Sequence, residues 1–147
     1  ILLHDDLEIT DPDAEAKFAA ALEDDVALVG VAGGGGQDGL AWWNQNPVGH
    51  QRTDVMNIDF GQRTGDVALI EGSIMVFSPW AIKELHFDEN YPGFHSYDEV
   101  AALARYCGKR VVVADVDTHH HTSMGFKSEE SHAEWLAGDQ RYREKWL

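Results

Sequence analysis

At 147 residues, 44% of them hydrophobic and five of them Trp, the chain is long enough for one domain with a real core and too apolar for disorder. Its 26 acidic against 11 basic residues give a net charge of −15, which opposes contact with nucleic acid or anionic lipid and means that an anionic substrate would need a cation as intermediary. The lone Cys107 excludes an internal disulfide and a cysteine-built zinc cage, no run reaches the roughly 20 apolar residues of a membrane span, and a soluble, cytoplasmic protein is expected.

The chain opens on ILLHDDLEI, residues 1–9, an apolar strand-like run interrupted by His4, Asp5 and Asp6. Two adjacent carboxylates are costly to bury unpaired, so they are expected to be neutralised by a cation or to sit at a strand end. Because Ile1 already lies inside this run, the chain is expected to be a fragment or a processed product, entering on an interior strand.

Asp11 can cap a helix with Pro12 at its first position, and Ala14, Phe18 and Ala21 supply its apolar stripe. Residues 26–32 read as a buried strand. The four glycines 33–36 lack a following Lys-Ser or Lys-Thr, so they read as a flexible surface loop rather than a phosphate loop. Of Trp42 and Trp43, one is expected in the core and one at the surface, where an indole can stack on a sugar or base. Residues 46–65 are polar and turn-rich and suggest an extended or hairpin excursion.

Residues 66–77 carry two strand-like runs, VALI and IMVF, broken by Glu71-Gly72-Ser73. A Glu beside a Gly inside apolar sequence marks a bulge or a close backbone approach. Ser78-Pro79 opens a short helix through Leu85, and an aromatic loop leads to Ser96. The spacing Ser96-Tyr97-Asp98-Glu99 predicts a capped helix with Val100, Leu103, Ala104 and Cys107 buried and Gly108 as its stop. Asp98 then lies in the first helical turn, where the helix dipole alone favours an acid.

The segment VVVADVDTHHHTSMG, residues 111–125, ends a run of β-formers in three histidines, delivering imidazoles to the rim of a sheet. Strand alternation puts His119 and His121 on one face with Asp115 and Asp117, and His120 on the other with Thr118. Imidazole is a common ligand for divalent metals, and the His4-Asp5-Asp6 segment is the natural carboxylate partner. A solvated histidine loop is the bland alternative. The alternation of elements predicts an α/β fold, a mixed sheet flanked by helices, in a single domain over residues 1–147.

Taken in order, the HDD strand, VGVAGG with Trp-Trp, EGSIMVFS, GFHSYDEV, HHHTSMG and the Trp-rich tail resemble the nucleotide-sugar glycosyltransferases of the GT-A fold, in the family 2-like branch named after a streptomycin-biosynthesis protein. The resemblance implies the C-terminal portion of that fold, with the upstream nucleotide-binding segment absent. It implies that Asp6 binds Mn²⁺ or Mg²⁺ with one of His119, His120 and His121 as distal ligand, His121 favoured, and that His4 and Asp5 lie at the donor. It implies Asp98 as the catalytic base of an inverting transfer, and an acceptor pocket formed by Glu71, Gly72, Trp43 and Tyr97. The partners would be a nucleotide-sugar donor and a small-molecule or glycan acceptor, with a homo-oligomer left open. Two other classes stay in view: a non-catalytic binding or scaffold domain that keeps the fold, and a metal-dependent hydrolase, which the absence of HExxH disfavours.

Overall fold

The computed structural model describes residues 1–91, 95–122 and 125–147. Pro92, Gly93 and Phe94 of the aromatic loop, and Ser123 and Met124 of the HHHTSMG closure, lie outside the described residues. Eleven strands and four α-helices alternate along the described chain, a mixed α/β architecture as expected. They are β1 (Leu2–Leu3), β2 (Leu7–Ile9), α1 (Ala14–Ala21), β3 (Val26–Gly30), β4 (Ala32–Gly34), β5 (Val48–Thr53), β6 (Asn57–Asp59) and β7 (Gly65–Val67). There follow β8 (Leu69–Ile70), β9 (Ile74–Phe77), α2 (Pro79–Glu84), α3 (Ser96–Tyr106), β10 (Arg110–Val113), β11 (Thr118–His120) and α4 (Glu129–Trp146).

The strands form two mixed sheets, one ordered β1-β9-β3-β10-β7 and the other β2-β11-β5-β4-β8 with β6 paired to β5. The chain crosses between them wherever a strand was expected to run on. The expected strand over 26–32 is two strands, β3 and β4, hinged at the fully buried Val31. Likewise the run from 111 ends with β10 at Val113 and resumes as β11 at Thr118 in the other sheet. The opening run is also divided: β1 is an exposed edge strand against β9, and β2 pairs with β11.

One apolar cluster lies where α1 covers the first sheet, through Phe18, Val29, Ile74 and Val112, and takes in Leu7 of β2. A larger one holds Leu28, Leu69, Val100 and Tyr142, joining β3, β8, α3 and α4. The glycines 33–36 are no surface loop: Gly33 and Gly34 are buried in β4. A side chain at Gly33 would strike the Leu69 carbonyl, and one at Gly34 the Trp42 carbonyl, so these residues are glycine because neighbouring backbone passes too close for a Cβ.

The caps are shifted from the sequence reading. Ser78 caps α2 as expected, its hydroxyl accepting from Ala81 N at 3.1 Å. Asp13 and His95, not Asp11 and Ser96, precede α1 and α3. Asp11 instead accepts from Asp13 N at 2.9 Å and Lys17 Nζ at 2.5 Å. Gly108, with φ +77°, follows α3 as the predicted stop. Cys107 is exposed, not packed, because the buried stripe of α3 runs through Val100, Ala101 and Ala104 and ends before it. The Trp-rich tail is α4, the longest described helix, opened by a reciprocal Ser128–Ser131 cap. No described helix is long and apolar enough to cross a membrane.

Candidate functional site

β11 lies one strand in from the edge of its sheet, antiparallel to β2 and parallel to β5, with His119 opposite Glu8 and His120 opposite Leu7. Alternation along so short a strand splits the three histidines between two faces. His120 Nε2 lies 3.1 Å from Asp6 Oδ1 and 3.5 Å from His4 Nδ1, so His4, Asp6 and His120 each offer a ligand atom within 4.8 Å of the others. His119 and His121 turn to the opposite face and form a separate group with Glu8.

Of the three histidines left open as partner of Asp6, with His121 favoured, the register brings His120 to it, together with His4. The break between β10 and β11 explains a second difference. With the strand interrupted, alternation does not carry across residues 114–117. Asp115 and Asp117 meet His50 instead, at 2.8 Å and 3.8 Å. Asp5 is exposed and belongs to neither group.

The face bearing His120 opens on a cavity of about 440 Å³ whose wall includes Trp42, Trp43, Glu71, Tyr97 and Trp135. Three of the four residues expected around an acceptor, Glu71, Trp43 and Tyr97, thus line one space with His120. The fourth, Gly72, sits behind: a Cβ there would come within 2.5 Å of the Tyr97 ring, so the glycine lets that ring close the wall. Trp42 and Trp43 meet edge to face at 5.9 Å, and Trp43 is 6.0 Å from Trp135. Such a ring set offers flat apolar faces to a ligand.

Glu71 is held by its own turn. Its Oε2 accepts from Ser73 N at 2.9 Å and from the Ser73 hydroxyl. Gln51, another wall residue, donates to Ser73 Oγ at 2.8 Å. Residues missed in the sequence reading, Gln51 and Trp135 among them, come from β5 and α4. Their only signal was residue type, a Gln amid polar sequence and a Trp in an unassigned tail.

Asp98 does not line the cavity. It is 2% exposed, with Oδ2 3.0 Å from His95 Nδ1 and Oδ1 without a hydrogen-bond partner. Burial pushes its carboxyl up to about 6, against the lowering effect of His95. The pair packs behind the wall, the His95 ring lying 5.9 Å from Trp135 and 6.2 Å from Tyr97. Gly138 of α4 makes room for it, since a Cβ there would come within 2.5 Å of the imidazole.

No family model matches the chain. It is similar to a streptomycin biosynthesis protein. That protein, StrF of Streptomyces griseus, is 33% identical over 132 residues, covering 86% of this chain and 47% of its own length. The chain thus spans about half the length of this curated relative.

Proposed function

We propose that this chain is the acceptor- and metal-holding part of a GT-A-type glycosyltransferase, moving a sugar from a nucleoside-diphosphate sugar to an acceptor hydroxyl. The observation that carries the reading is that one side chain, His120, belongs both to the His4–Asp6–His120 group and to the wall of the aromatic cavity. A cation held there would stand at the mouth of a space shaped for a ring. The similarity to a streptomycin biosynthesis protein supports the order of segments from which the reading began.

The donor set fits a divalent ion. One carboxylate and two imidazoles suit Mn²⁺ better than Mg²⁺, which prefers oxygen alone. Bound there, such an ion would neutralise charge developing on a diphosphate leaving group, which an acidic chain of net charge −15 does poorly through its own side chains. Asp6 and His120 would hold it, with His4 completing or orienting the set. Trp43 and Tyr97 would stack against the sugar or acceptor ring and exclude water.

Glu71, fixed by Ser73 and facing the cavity, is within the space of an acceptor hydroxyl and can hold or receive its proton. Asp98, raised to about 6 by burial, is tuned for proton transfer but lies behind the wall. Its burial favours a second reading, a binding domain with this fold that holds metal and sugar without turnover. Calorimetric titration of Mn²⁺ with and without UDP tests the first reading. Binding strengthened by UDP and lost in Asp6→Ala supports it, and no Mn²⁺ binding by the folded chain sinks it. A donor-turnover assay of Glu71→Gln and Asp98→Asn then separates enzyme from binding domain and identifies the base.

A further inference from the structure

The outer face of β11 carries a second constellation that this reading leaves unused. His119 and His121, two residues apart on one strand, point the same way, and their rings are 4.0 Å apart. Glu8 stands opposite His119 on β2, and Asp54 follows β5 on the other side. His121 Nε2 is 3.4 Å from Glu8 Oε2, His121 Nδ1 is 3.3 Å from Asp54 Oδ1, and His119 Nε2 is 2.9 Å from the same oxygen.

Glu8, His119 and His121 each present a ligand atom within 4.8 Å of the others. A tetrahedral ion with bonds of about 2.0–2.1 Å sets its ligands roughly 3.4 Å apart. The widest possible separation in this group therefore has to close by only about 1.4 Å, within the reach of the exposed Glu8 and His121 side chains around a half-buried His119. We propose that this face is a metal site of its own, taking a cation of the Zn²⁺ class through Glu8, His119 and His121. Asp54 serves as fourth ligand or as the acceptor that fixes an imidazole tautomer.

Two imidazoles with carboxylates select a borderline ion over Mg²⁺ or Ca²⁺, and the net charge of −15 favours any cation at the surface. The consequence is mechanical. The ligands come from β2, β11 and the turn after β5, so the ion ties three neighbouring strands and pins the one that presents His120 to the cavity. Glu8, His119, His121 and Asp54 share no side chain with the His4–Asp6–His120 group, so each group can be disabled by its own substitutions.

The test is Zn²⁺ titration of the full chain carrying His120→Ala, which disables the inner group, followed by thermal melts with and without Zn²⁺. This protein should bind one Zn²⁺ and melt higher with it. Adding His119→Ala and His121→Ala should weaken binding at least about 100-fold and abolish the shift. Glu8→Gln, which keeps the side-chain shape, should weaken it by about tenfold or more and serves if the histidine variants fail to fold. Zn²⁺ affinity unchanged by the outer substitutions, or no binding at all in the His120→Ala protein, overturns the proposal. The Mn²⁺ and UDP titration, run on the chain carrying His119→Ala and His121→Ala, reads the inner site on its own.

Discussion

The two faces of β11 carry the same residue type in consecutive positions, yet they sit in different physical settings. The His120 side chain is 12% exposed and turns toward an aromatic-walled cavity. On the other face His119 is 14% exposed, and His121, just past the strand, is 47% exposed beside a Glu8 that is 60% exposed. Beside the cavity water is scarce and each polar contact is electrostatically stronger; at the exposed His121–Glu8 pair charges are screened and an ion pair alone is worth little. What a histidine can do here follows from what lies behind its strand, not from its place in a histidine run.

The contrast is sharpest in neighbouring residues of β2. Leu7 is 8% exposed and part of the core cluster that includes Phe18 and Val31, whereas Glu8 faces solvent. Leu7→Ala should lose about 3 kcal/mol in urea unfolding through the cavity it leaves, and Glu8→Ala less than about 0.5 kcal/mol. Equal losses would mean that β2 does not present one face to the core.

The same pair of faces can be separated by metal. Asp6→Ala should weaken Mn²⁺ binding about 100-fold or more, roughly 2.7 kcal/mol, in calorimetry. Glu8→Ala should leave Mn²⁺ affinity at the inner group within about twofold, since Glu8 belongs to the other ligand group, with His119 and His121. A large Glu8 effect on that ion would merge the two groups into one.

The runs of β-formers were legible as strands because Val, Ile and Leu alternate with turns throughout. Their assignment to sheets was not, since propensity is silent on which neighbour a strand pairs with. The hinge at Val31 and the gap from Ala114 to Asp117 move the chain from one sheet to the other. That gap is also why Asp115 and Asp117 were placed with the wrong histidines. The tail escaped recognition because α4 buries little of its own, chiefly Gly138 and Tyr142, and so lacks a strong apolar stripe. The HDD and HHH segments were legible as partners, but the choice of His120 required the register of β11 against β2.

Behind the cavity face lies an ionisable group that the outer face has no counterpart for. Asp98 is fully enclosed, and its pKa is raised from 3.8 to about 6, so the folded chain holds its proton more tightly than the unfolded chain does. By linkage, this group's favourable contribution is fully present below pH 3.8 and lost as pH rises toward 6. Above that window the buried carboxylate is a standing cost on the order of 3 kcal/mol. Asp98→Asn mimics the protonated group, so it should match the wild type near pH 4 and exceed it by about that amount at pH 7.5 in urea unfolding. A stability difference that is the same at both pH values would mean that Asp98 does not titrate in this window.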